Sequence, residues 1–153
     1  DLVRSRGLGD VYKRQPAVAT AGAVVNALKA LNLSKISVAT PYTQKINSLE
    51  KKFFEQNGFV VQKIKGLGIK DNLKIGEQVP RTVYDLVKEV DTASNDGIFV
   101  SCTNLKTIEV IGRLEEEFKK PVVSSNTATL WAMLRRIKYV EPVIGWGRLL
   151  TMC

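Results

Sequence analysis

The chain has 153 residues, 44% of them hydrophobic and 25% charged, with 23 basic and 15 acidic side chains, no histidine and a formal net charge of +8. That length and balance suit one domain with a substantial core, and no apolar run approaches the roughly 20 residues a membrane helix needs. Two cysteines, Cys102 and Cys153, exclude a disulfide framework and point to a reducing, cytoplasmic setting, while the missing histidine excludes Ser-His-Asp and Cys-His catalytic sets.

In chain order, the first residues stand apart. Residues 5–15, SRGLGDVYKRQ, cluster bases and glycines without apolar periodicity and resemble a translated sequencing-library adapter. Residues 1–15 are therefore expected to be non-native and disordered, with the native chain starting near Pro16 and residues 16–153 forming the folded unit. Setting them aside removes four bases and two acids and lowers the net charge by two. The remaining lysines, such as Lys51, Lys52, Lys119 and Lys120, are scattered along helix-like stretches. No stripe of Arg and Lys interleaves with aromatics, so the composition points to no nucleic-acid or membrane partner.

From Pro16 onward, helical and strand patterns alternate. PAVATAGAVVNALKALNL spaces Val18, Ala21, Val25 and Leu28 for one helical face. KISVATP is a β-branched run ended by Pro41, giving a strand over about 36–39. YTQKINSLEKKFFEQNG sets Ile46, Leu49 and Phe53 on one helical face and stops at the C-cap pair Asn57-Gly58. FVVQKIKG reads as a second strand, and a loop then leads to a helix around Val79, Val83, Leu86 and Val90. DGIFVSC is a third strand, followed by a helix beginning near Asn104 with Leu105, Ile108, Ile111, Leu114 and Phe118 inward. PVVSS is a fourth strand, NTATLWAMLRRI opens a last helix with Trp131 and Met133 in the core, and the tail to Leu150 is irregular.

Strands in this order, each nearly continuous in apolar residues, predict a four-stranded parallel sheet covered on both faces by helices. With right-handed crossovers this is a flavodoxin-like, doubly wound α/β unit. Ligands in such sheets bind beyond the carboxyl ends of the strands. Those positions carry Thr40, Pro41, Tyr42 and Thr43; residues 66–72; Ser101, Cys102, Thr103 and Asn104; and Ser124, Ser125 and Asn126. The set is small, polar and largely uncharged, suited to holding carboxylates through amides, hydroxyls and helix N-terminal N–H groups.

Cys102 is expected at or just before a helix N-terminus, where the dipole and unpaired N–H groups favour a thiolate without histidine. A buried cysteine acting as a small hydrophobe explains the same position. Tyr42, after Thr-Pro, either faces a ligand or packs. Gly66-Leu67-Gly68 lacks the third glycine of a dinucleotide fingerprint, since Asp71 stands there, and no Walker motif or metal-ligand cluster occurs. A non-catalytic small-molecule binding domain accounts for the polar strand ends but not for the thiol. A receiver-type phosphoacceptor needs carboxylates where Thr40, Cys102 and Ser124 stand.

Taken together, SVATPYT, GLGIKDN, DGIFVSCTNLKT, PVVSSNTATLWAMLR and GWGRLL resemble the maleate cis-trans isomerase and arylmalonate decarboxylase group of the aspartate/glutamate racemase superfamily. The resemblance runs over about 16–150 in one register. It implies the second of two similar α/β halves around a pocket, each half supplying a cysteine or its replacement. It also implies catalytic Cys102, substrate-binding Tyr42 and Asn72, carboxylate-holding N–H groups around Thr103, no cofactor and no metal. The substrate class is a small dicarboxylate, with maleate-to-fumarate isomerisation first and decarboxylation or racemisation as alternatives, and homo-oligomers are compatible with it. Thr103 and Asn104 after the cysteine are closer to isomerases, since the decarboxylases tend to carry glycines there. The other half's cysteine is expected upstream of Pro16, so that residues 16–153 alone lack half the pocket.

Overall fold

The computed structural model of the protein describes residues 17–152, so the adapter-like reading of residues 1–15 and the position of Cys153 lie outside it. Four strands, β1 (Lys35–Thr40), β2 (Val60–Gly66), β3 (Gly97–Val100) and β4 (Val122–Ser124), form one parallel sheet in the order β2-β1-β3-β4. The central strands carry Ile36, Val38, Ile98, Phe99 and Val100, whose β-branched and aromatic side chains suit a sheet buried on both faces. Val38 pairs with Ile64 on one side and Phe99 on the other, and Phe99 pairs with Val123.

Alternation along the strands divides the core in two. Ile36, Val38, Phe99 and Val123 point to a layer built from α1 (Thr20–Ala30), α2 (Gln44–Gln56) and α6 (Ser125–Arg136), with Val24, Leu28, Phe54 and Trp131. Ala39, Ile98, Val100 and Val122 point to the other layer, with Val83, Val87 and Val90 of α4 (Pro80–Val90) and Ile111 and Leu114 of α5 (Ile108–Phe118). Each fully buried large side chain contributes roughly 1.5–3 kcal/mol of transfer free energy.

Several expectations need correction. On α1, Val25 and Leu28 are buried as expected, but Ala21 is only half-buried, Val18 precedes the helix and is half-buried too, and Ala23, Val24 and Ala27 complete the inner face. On α2 the inner face is Asn47 and Phe54, while Ile46 and Leu49 are 41% and 60% exposed. Two contacts fix that rotation. The Thr40 hydroxyl donates to Asn47 Oδ1 at 2.6 Å, and the Phe54 ring meets Phe99 edge-on with centroids 5.2 Å apart.

Val79 caps α4 and is exposed, Pro80 taking the first helical position, where its missing N–H costs nothing. The helix expected from Asn104 begins at Ile108, itself outward; Leu105 reaches the core from the preceding turn. Trp131 is buried but Met133 is half exposed. The tail is not wholly irregular: residues Arg148–Met152 form a 3₁₀ helix that buries Leu149 and Leu150. The Glu115 carboxylate holds that tail by accepting the N–H groups of Val122 at 2.9 Å and Arg148 at 2.8 Å.

Candidate active site

At the carboxyl end of β1, three loop N–H groups lay the segment after β2 along the chain at Thr40–Tyr42. Leu67, Gly68 and Ile69 donate to the carbonyls of Thr40, Tyr42 and Pro41 at 3.1, 3.1 and 2.9 Å. Gly66 permits this approach, because a Cβ there would stand 2.2 Å from the Tyr42 carbonyl oxygen and 2.6 Å from Asn47 Nδ2. The tight loop turns at Gly68, whose φ is +73°. The two glycines therefore shape the chain around Tyr42.

The segment then enters a short helix, α3 (Asn72–Gly76), that the sequence patterns do not show; Asp71 caps it by accepting the Leu73 N–H at 2.9 Å. The Asn104 side chain lies against it, donating from Nδ2 to the Asn72 carbonyl oxygen at 2.7 Å.

Cys102 follows the end of β3 with φ at +91°, a backbone region that non-glycine residues seldom occupy. It is 7% exposed. The helix start near it is not that of α5, which begins six positions downstream. It is that of α6, whose first residue, Ser125, accepts the Cys102 N–H on its hydroxyl at 3.1 Å. The thiol itself receives the N–H of Asn104 at 3.4 Å on Sγ. With the N–H groups of Cys102 and Asn104 so engaged, that of Thr103 is the one of the three without an acceptor among the described residues. The Thr103 carbonyl is tied back by Asn126 Nδ2 at 3.0 Å.

A cavity of about 660 Å³ opens here, with Cys102, Thr103, Tyr42, Ser101 and Ser125 on one side and α1 on the other. The Tyr42 phenol sits beside the Cys102 thiol and the Ser101 hydroxyl; burial, then its contact with Cys102, hold it well above its ordinary pKa, so it remains a neutral hydrogen-bonding group. Of the expected site residues, Cys102, Tyr42 and Thr103 share this cavity. Asn72 does not line it. It lines an adjoining hollow of about 420 Å³ with Ile46 and Lys70, and Tyr42 belongs to both.

Glu50 was not singled out in the sequence. From α2 it reaches the same cavity and accepts a hydrogen bond from Ser101, and burial pushes its carboxyl above the ordinary value against the pull of that bond. A signal existed: Asn47, Glu50 and Phe54 recur at three and four residues, the spacing of one helical face. Their polarity concealed it beside the more apolar Ile46, Leu49 and Phe53. Among the described residues no group of three His, Cys, Asp or Glu side chains could hold a metal ion, and no helix is long and apolar enough to cross a membrane.

Residues 11–150 match the family model described as arylmalonate decarboxylase. A maleate isomerase of Pseudomonas putida is 30% identical over 138 residues, covering 89% of this chain and 55% of the relative. The arylmalonate decarboxylase of Bordetella bronchiseptica is 31% identical over 122 residues, covering 78% and 51%. The crystal structure of a cysteine-to-alanine variant of the maleate isomerase Iso from Pseudomonas putida S16 with maleate superposes with a TM-score of 0.92 at 27% identity, over 99% of this chain and 62% of that one. A crystal structure of arylmalonate decarboxylase gives a TM-score of 0.83 at 28% identity, over 92% and 63%. The chain spans about half the length of the curated relatives it matches.

Proposed function

The chain belongs to the arylmalonate decarboxylase family, and from that premise we propose that it carries the proton-transfer side of an enzyme acting on a small dicarboxylate, with isomerisation of maleate to fumarate as the reaction. The observation that carries this reading is the meeting of the Cys102 thiol and the Tyr42 phenol, with Thr103, in one cavity whose polar wall bears no side-chain cation. Such a wall binds carboxylates by hydrogen bonding, and the Cys102 thiol in it is a group able to give and take a proton.

In the isomerisation a nucleophile adds to one alkene carbon of maleate, and the π electrons move onto the adjacent carboxylate as an enediolate. Cys102 gives its proton to the second carbon, leaving a thiolate and a saturated adduct that rotates about the new single bond. The thiolate takes a proton back from that carbon, the nucleophile leaves with its electron pair, and fumarate is formed. In this reading the N–H of Thr103 and the hydroxyl of Tyr42, both from residues that line the cavity, stabilise the enediolate as its charge develops. Asn72, across Tyr42, would hold the second carboxylate. The nucleophile is not assigned to any described residue, and the scheme calls for no cofactor.

The family match supports a second reading, decarboxylation of a malonate, in which loss of CO₂ produces the enediolate and Cys102 protonates one face of it. The protonation step is common to both. Incubating the full-length protein with maleate, and separately with phenylmalonate, in D₂O and following products by proton NMR decides between them. Fumarate, labelled or not, supports isomerisation, α-deuterated phenylacetate supports decarboxylation, and turnover of either that survives Cys102→Ala removes Cys102 from the mechanism.

A further inference from the structure

Glu50 is the half-buried ionisable group of the cavity that the reaction does not use. Its Oε1 accepts the Ser101 hydroxyl hydrogen bond, and Ser101 in turn lies beside Tyr42. Its Oε2 is fully buried and has no hydrogen-bond partner among the described residues. No lysine or arginine forms an ion pair with it there. A carboxylate in that position would carry a buried negative charge with one oxygen unsolvated and no cation to offset it, an arrangement that favours the uncharged acid. The ionisable groups facing it are Tyr42, from the turn after β1, and Cys102, from the loop after β3; the α1 wall brings Thr20, Ala21 and Val24, and α6 brings Ser125, none of which ionises.

We propose that Glu50 is a positioning and charge-setting residue: an uncharged acid that holds Ser101 against Tyr42 and keeps the wall around Cys102 free of negative charge, so that anionic ligands are admitted to the thiol. Ionised, the same side chain would repel a dicarboxylate and an enediolate at short range. The cavity is thereby open to anions below the pH at which Glu50 loses its proton and closed above it. Burial raises that pH and the Ser101 hydrogen bond lowers it.

This inference rests on Cys102 being the reacting group of an anion pocket, but its test requires no turnover, so a failed maleate assay leaves it standing. The chain is alkylated with iodoacetate and, in parallel, with iodoacetamide from pH 5 to 9, and modification is read at the Cys102 peptide by mass spectrometry. Both reagents need the same thiolate, so their rate ratio cancels the thiol's own titration and reports the local charge. Tyr42 stays neutral over this range, its phenol being held up by burial. The expected ratio is constant at low pH and falls at least about tenfold as Glu50 ionises, the size of a unit charge acting at short range in a partly buried site. Glu50→Gln should keep the ratio constant throughout, and Ser101→Ala should move the fall to higher pH. Superimposable wild-type and Glu50→Gln profiles, or a wild-type ratio already falling through the ordinary carboxyl range, would overturn the proposal. If Glu50→Gln does not fold, the wild-type profile decides alone.

Discussion

The side-chain amide of Asn104 donates to the carbonyl oxygen of Asn72 at 2.7 Å, joining the loop that carries Cys102 to the first residue of α3. The same residue's backbone N–H rests on Cys102 Sγ at 3.4 Å. One residue thus bridges two segments that are 32 positions apart in the chain.

Asn104→Ala removes the first of these bonds and keeps the second. A net hydrogen-bond contribution of about 1 kcal/mol implies a thermal midpoint lower by roughly 2–4 °C. Hydrogen exchange should quicken over residues 72–76, while alkylation of Cys102 changes little. Unchanged exchange in α3 would show that the bridge does not hold it.

Gly66→Ala places a methyl group 2.2 Å from the Tyr42 carbonyl oxygen, 2.6 Å from Asn47 Nδ2 and 2.8 Å from Thr40 Oγ1. Backbone must shift to admit it, at a cost of about 1–3 kcal/mol or more. Urea unfolding should report that loss with the m-value unchanged. In the full-length protein, Tyr42 would move with its backbone and turnover would fall as well.

Glu50 has a pKa raised by burial, so the folded protein holds this proton to a higher pH than the unfolded chain does. Between the ordinary carboxyl value and the raised one, the folded state binds more protons, and stability falls as pH rises. Glu50→Gln cannot ionise and escapes that loss. Its thermal midpoint should match wild type most closely near pH 4 and exceed it increasingly toward pH 8. A gap that narrows with rising pH would reverse the sign of the argument.

Cys102→Ser and Cys102→Ala in the full-length protein should each lower kcat by about 10²–10⁴-fold with KM little changed, because a proton-transfer group acts mainly in the transition state. Serine retains the size but not the acidity and should not rescue. Tyr42→Phe and Asn72→Ala should raise KM as well, since in the proposed reading each holds a bound carboxylate before reaction. Steady-state kinetics on the four variants separates these roles, and a Cys102→Ser enzyme with kcat near wild type would make Cys102 a packing residue.

By itself, the sequence determined the elements whose apolar residues are consecutive or strictly periodic: Ile36 to Ala39, Ile98 to Val100, Val83 to Val90, and Ile111 with Leu114. Their burial follows from local spacing, and a parallel sheet with helices on both faces follows from their order. It also placed Tyr42, Cys102 and Thr103 at strand ends on one side of that sheet, and its motifs carried the resemblance that the family match bears out. The rest depended on contacts between distant segments. Only the tertiary structure turned α2 so that Asn47 and Phe54, rather than Ile46 and Leu49, face inward, because Thr40 and Phe99 receive them. Only it replaced the expected helix at Asn104 with a turn and set Ser125, from the start of another helix, against the Cys102 N–H. Glu50 became part of the pocket for the same reason: its partner Ser101 lies 51 residues away, and desolvation, the dominant influence on its proton, exists only once the layers have closed around it.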